Sequence, residues 1–197
     1  MPSNPLFIDL SGVRGSVWDD LLINSGLFQF AGSNDPVWRD WQPGGSGTSF
    51  RLLHFNLNDE IYFSCQLPHT YKEGTDLHVH VHWTPAKRGN EESGSYVGWK
   101  LDYTWTNING SAFAPSAVID MSDTCSGTDD YHEVSEGLTV LSGTGKTISS
   151  MLVCRLFRSD TGTDDTWTGT NADAPALLQF DIHHEIDAGG SRQEWVK

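Results

Sequence analysis

The sequence predicts an all-β chain, a jelly-roll-like antiparallel β-sandwich with an extended N-terminal arm, on three observations. Asp76 to Thr84, DLHVHVHWT, alternates without error: Leu77, Val79, Val81 and Trp83 fall on one face and His78, His80 and His82 on the other, because successive strand residues point to opposite sides of a sheet. Eight or so short apolar runs follow one another at turn-separated spacing without a convincing helix, the pattern of sandwiches and jelly rolls. Eight Trp and an aromatic fraction of 11% supply the large flat side chains that strands accommodate.

Taken in order, residues 1–47 mix short apolar pieces (PLFIDL, VWDDLL, GLFQF, VWRDW) with Gly, Ser, Asn and Pro and end in PGGSGT. They read as an arm that docks on a neighbour, with one helical turn expected in VWDDLL after Ser16. Residues 48–197 read as the sandwich. SFRLLHFNL is a strand closed by the turn residues Asn58 and Asp59, and EIYFSCQL is a strand stopped by Pro68. The polar link HTYKEGT leads to the histidine strand, and PAKRGNEESGS follows it as a loop. VGWKLDYTW puts Val97, Trp99, Leu101, Tyr103 and Trp105 on one face. NING is a turn, SAVIDM a short strand, DTCSGTDD a loop, and YHEVSEGLTVL a strand interrupted near Gly137. ISSMLVCRLFR is apolar on both faces in its middle, which predicts a strand covered on both sides. Ser159 to Pro175 reads as a surface loop. ALLQFDIHHEID sets Leu178, Phe180, Ile182, His184 and Ile186 against Gln179, Asp181, His183, Glu185 and Asp187.

Length and charge bound the function. At 197 residues the chain suits one domain. Acidic residues outnumber basic ones 26 to 12, a net charge of -14, which would repel a phosphate backbone and argues against nucleic acid as a partner. Cys65 and Cys154 lie in line with apolar strand residues, so the three cysteines are expected as reduced thiols of a protein folded in a cytoplasm. The N-terminal residues lack the layout of a secretory signal and no apolar run reaches membrane-spanning length, so neither export by that route nor a membrane partner is expected.

The first chemical candidate is a divalent metal held by His78, His80 and His82 with Asp181, His183 or Glu185, since imidazoles and carboxylates are the ligands zinc and its neighbours use. Same-face strand residues lie roughly 6.6 Å apart, so two adjacent histidines can share an ion while a third reaches less easily; jelly-roll cupins use such an H-x-H pair. The competing reading is a polar ladder at a wet face or subunit contact. Calcium in Asp123 to Asp130 or Asp160 to Asp173 is a second candidate, although neither loop has the EF-hand spacing. SGTGKT, Ser142 to Thr147, is not a phosphate loop, because Val140 stands where the motif needs its first Gly. No nucleophile-elbow signal supports a hydrolase triad, while a carboxylate pair distant in sequence would leave no spacing signature. Trp38 and Trp167, in loop-like stretches, are candidates for stacking on a sugar ring, and Trp18, Trp38 and Trp41 for anchoring an interface.

Four stretches carry a resemblance: LPHTYKEGTDLHVHVHW (67–83), WKLDYTWTNINGSAF (99–113), GKTISSMLVCRLFR (145–158) and DIHHEIDAGGSRQEWVK at the C-terminus. Together they resemble small proteins encoded among the virion structural genes of tailed bacteriophages, over roughly Gln66 to the end. The resemblance implies a setting on the virion, assembled in the host cytoplasm, and no catalytic residue. The expectation is therefore a non-enzymatic structural protein that decorates or cements the capsid. It would contact the major capsid protein or other virion proteins as a symmetric oligomer, with a trimer expected because closed symmetry buries one patch repeatedly. A tail-fibre or receptor-binding module that recognises a host glycan, and a metal-dependent cupin-like enzyme, are the alternatives.

Overall fold

In the computed structural model, which describes residues 17–86, 92–110, 112–137, 139–161, 165–194 and 196, the alternating runs become strands. They are β1 (Val17–Ile23), β2 (Val37–Trp41), β3 (Phe50–His54), β4 (Glu60–Gln66), β5 (Leu77–Thr84), β6 (Tyr96–Val97), β7 (Trp99–Thr106), β8 (Ala117–Asp120), β9 (Asp123–Thr124), β10 (Glu133–Glu136), β11 (Met151–Arg158) and β12 (Ala176–Ile186). The larger sheet runs β10-β5-β12-β3-β2, with β1 also paired to β12, and the smaller runs β4-β11-β7-β8. Following β3, β4, β5, β7, β8, β10, β11 and β12 along the chain, successive strands step between the sheets except at the β7-β8 hairpin. That order is the jelly roll of two interleaved Greek keys. Strands β6 and β9 form a separate ribbon.

The inner faces are the apolar rows read from the sequence. Leu77, Val79, Val81 and Trp83 of β5 and Phe180 and Ile182 of β12 meet Ile61 and Phe63 of β4, Trp99 and Leu101 of β7, and Leu152 and Leu156 of β11, all buried. Phe63 and Phe180 close the gap between sheets with ring centroids 5.0 Å apart, as do Phe55 and Trp99 at 5.0 Å. Each such buried side chain contributes about 1.5–3 kcal/mol relative to exposure.

Four expectations are corrected. VWDDLL is strand rather than helix: with Ile23 it makes up the seven residues of β1, which pair antiparallel with Phe180 to Ile186 and deliver Ile23 to the core. The boundary at residue 47 does not separate an arm from the sandwich among the described residues, since β1 and β2 both belong to the larger sheet; residues 1–16 lie outside the described residues. Strand β11 is covered on one side only: Leu152, Cys154 and Leu156 are buried, while Met151 and Val153 are exposed on the outer face of the smaller sheet. The stretch Ser159 to Pro175 is partly interior. Arg158, 2% exposed, donates to both Asp165 oxygens, Nε to Oδ2 at 2.6 Å and Nη2 to Oδ1 at 2.8 Å, and to the carbonyls of Phe55 and Trp167 at 2.9 and 3.1 Å.

The polar stretches that carry the resemblance meet at one end of the sandwich. Gly74 N donates to the Lys146 carbonyl at 2.9 Å, Ile148 N to Glu73 Oε1 at 3.0 Å, and Thr147 N to Asn107 Oδ1 at 3.1 Å. Lys146 Nζ donates to the Trp105 carbonyl at 2.8 Å, and Ser191 Oγ pairs with His69 Nδ1 at 2.7 Å. Gly143 packs so closely that a Cβ there would stand 1.6 Å from the Thr75 carbonyl oxygen. SGTGKT is thus a turn ahead of β11, as its failed spacing implied.

Candidate functional site: a histidine and carboxylate cluster on the outer sheet face

Burying Leu77, Val79, Val81 and Trp83 obliges His78, His80 and His82 to face away from the core. The register of the larger sheet then decides their neighbours. His80 stands between Glu136 of β10 and Asp181 of β12, Asp181 pairs with Leu22 of β1, and His183 lies between His78 and Asp20. Side chains from four strands therefore converge, and Asp181 is their centre. His80 Nδ1 lies 3.3 Å from Asp181 Oδ1, while His82 Nε2 and His183 Nε2 lie 3.2 and 3.4 Å from Oδ2. His183 Nε2 also meets Asp20 Oδ1 at 3.0 Å, and His82 Nδ1 lies 2.8 Å from His132 Nε2, a spacing that needs a shared proton.

Although this is the outer face, its centre is dry: the side chains of His80 and Asp181 are only 10% and 5% exposed. The His80 and His183 rings meet edge to face with centroids 4.1 Å apart. Burial by itself would raise the Asp181 carboxyl; contacts with His80, His82 and His183 outweigh it and hold the group below the ordinary carboxylate range. His80, Asp181 and His183 each offer a ligand atom within 4.8 Å of the others.

His78 does not join the cluster; it is exposed, with its ring edge to face against Trp18 at 5.2 Å. His82 touches it through Asp181 only. Of the predicted anchors, Trp18 is 45% and Trp38 40% exposed, whereas Trp41 is partly covered and donates Nε1 to Asp130 Oδ1 at 2.8 Å. Trp167 is corrected: at 6% exposed it packs edge to face on Trp83 and donates Nε1 to the Asp173 carbonyl at 3.0 Å, so its ring presents no platform. Trp38, with Arg51, Phe28 and Gln179, lines a cavity of about 130 Å³ where β12 passes from β3 to β1. Several loop carboxylates proposed for calcium accept protein donors instead, Asp123 from Trp83 Nε1 at 3.1 Å and Asp130 from Gly44 N at 2.9 Å. Glu92 carries no motif that marks it, yet its buried Oε1 accepts Thr168 N and Gly169 N at 3.1 and 3.0 Å. Its partners lie 76 and 77 residues away.

No protein-family model matches the chain, and no curated protein matches its sequence. Among solved structures, the CBM22-2 xylan-binding domain of Paenibacillus barcinonensis Xyn10C is 11% identical with a TM-score of 0.38, over 85% of this chain and 94% of that one. The stem and receptor-binding domain of the spike protein P1 of bacteriophage PM2 is 10% identical with a TM-score of 0.25, over 88% and 97%. A GH115 4-O-methyl-α-glucuronidase is 14% identical with a TM-score of 0.35; the chain spans 18% of its length. Similarities this distant say nothing about ligand or reaction.

Proposed function

We propose that the protein is a structural, non-catalytic component of a tailed-phage particle, decorating or cementing the capsid as a symmetric oligomer bound to the major capsid protein. The observation that carries the reading is where the phage-like stretches fall: they supply the neighbouring strands β5 and β12 of one sheet and β7 and β11 of the other. Their polar ends are hydrogen-bonded to one another at one end of the sandwich. The resemblance therefore spans a whole folding framework rather than a local motif. Apolar side chains exposed on both outer faces, Trp18, Leu22 and Val134 on the larger sheet and Val118, Met151 and Val153 on the smaller, suit a protein that is covered by neighbours. Co-sedimentation of the purified chain with phage shells lacking it tests this. Saturable uptake at a fixed ratio to the shell protein is expected, and no uptake above that of an unrelated acidic protein contradicts it.

A glycan-binding fibre module is the second reading, favoured by the Trp38 and Arg51 cavity. It requires that Trp38→Ala abolish retention on immobilised host glycans while leaving the fold intact.

A further inference from the structure

We propose that His80, His183 and Asp181 form a binding site for a single zinc-class divalent cation on the outer face of the larger sheet. Two atoms at the centre of the cluster call for an explanation. His80 Nδ1 and Asp181 Oδ1 are shut off from solvent and neither has a hydrogen-bond partner, although they face each other at 3.3 Å. Buried polar atoms are ordinarily satisfied, and leaving one unpaired costs about 1–3 kcal/mol. His183 Nε2 lies 3.4 Å from the other oxygen of that carboxylate, Oδ2, and His183 offers a ligand atom within 4.8 Å of those of His80 and Asp181. Two ligands on a tetrahedral ion at about 2.0–2.1 Å lie roughly 3.3–3.4 Å apart. The 3.3 Å between His80 Nδ1 and Asp181 Oδ1 is long for a hydrogen bond and right for two atoms sharing an ion.

The surroundings fit the same reading. Asp181 Oδ2 is held by His82 Nε2 at 3.2 Å, which orients the carboxylate while Oδ1 stays free to ligate. If His80 ligates through Nδ1, Glu136 Oε1, 4.0 Å from its Nε2 and on an exposed side chain, is the carboxylate that would close on it as the outer partner. Asp20 Oδ1, 3.0 Å from His183 Nε2, is the nearest carboxylate for a fourth position. Two imidazoles and a carboxylate select zinc, cobalt or nickel over calcium or magnesium. The ion would pin β5 to β12, and through Asp20 to β1.

The test is equilibrium dialysis of the full chain, freed of any affinity tag, against Zn²⁺, with Co²⁺ absorption as an independent readout of tetrahedral ligation. One equivalent of Zn²⁺ at micromolar concentration is expected, with the thermal midpoint rising as Zn²⁺ is added. His80→Gln and Asp181→Asn are expected to weaken uptake at least about tenfold, the scale on which metal sites respond to losing supporting groups. His183→Gln, at a partly exposed position, should do the same in a chain shown to be folded, while His78→Gln should leave uptake unchanged. No uptake by the unaltered chain, or full uptake by folded His183→Gln, overturns the site; in that event the cluster is a hydrogen-bonded ladder.

Discussion

His80 and Asp181 face each other at 3.3 Å from neighbouring strands, their side chains 10% and 5% exposed although both stand on the sheet face turned away from the core. Around them the imidazoles of His82 and His183 close on the same carboxylate. Asp181 is thus the residue on which the whole cluster depends. Asp181→Asn removes the charge that three imidazoles address, and a loss of about 1–3 kcal/mol is expected. Urea unfolding measures it, and a change below about 0.5 kcal/mol would mean that the cluster does not stabilise the sheet.

The buried pair of Arg158 and Asp165 makes a sharper prediction. Removing one partner strands a charge in the interior, so Asp165→Asn and Arg158→Leu should each cost about 3–5 kcal/mol. Replacing both by Leu should cost less than the sum of the two, because neither charge is then left alone. Denaturant midpoints of the three variants, compared in a double-mutant cycle, check this.

Gly143 is required by close approach. Its backbone leaves no room for a Cβ, which would meet the Thr75 carbonyl and, at 2.5 Å, the Tyr71 hydroxyl. Gly143→Ala should therefore cost about 1–3 kcal/mol or more. Gly26→Ala, with nothing within 4 Å of its added methyl, is the control expected to stay within about 0.5 kcal/mol.

Acid should destabilise the protein in two stages. Burial pushes His184 below the ordinary imidazole value of 6.5 despite nearby Asp19 and Asp20, and burial with Arg39 does the same to His54. The unfolded chain therefore binds protons that the folded one refuses, so this stability is complete above 6.5 and declines as pH falls below it. Asp181, lowered from 3.8, works in the same sense but at lower pH, its contribution being lost as pH falls through its folded value. The urea midpoint is expected to fall from pH 6.5 to 5, with a shallower slope in His184→Gln; a midpoint that rises over that range contradicts the assignment.

Much of this was legible in the chain because strand alternation is local. Leu77 to Trp83 and Phe180 to His184 announce their inner faces in the sequence alone, and burying one row forces the other outward. The jelly-roll class followed from strand count and turn spacing, including the turns at Asn58 and Asn109, whose φ of 70° and 52° are left-handed. What remained hidden is long-range. β1 reads poorly because Asp19 and Asp20 interrupt its alternation and its partner begins at Phe180. Asp181 stood among several candidate carboxylates, and only the register of β12 against β5 makes it the one that meets His80. Trp167 looked exposed among Thr, Gly and Asp, yet Arg158 and Asp165 draw that loop inward.

The proposed place of this jelly roll is in a phage particle. Its most direct test is the copy number of the protein in purified particles, by quantitative mass spectrometry against the major capsid protein. A fixed ratio close to that of the shell protein is the expected result. Absence from particles that otherwise contain their full set of structural proteins would contradict it.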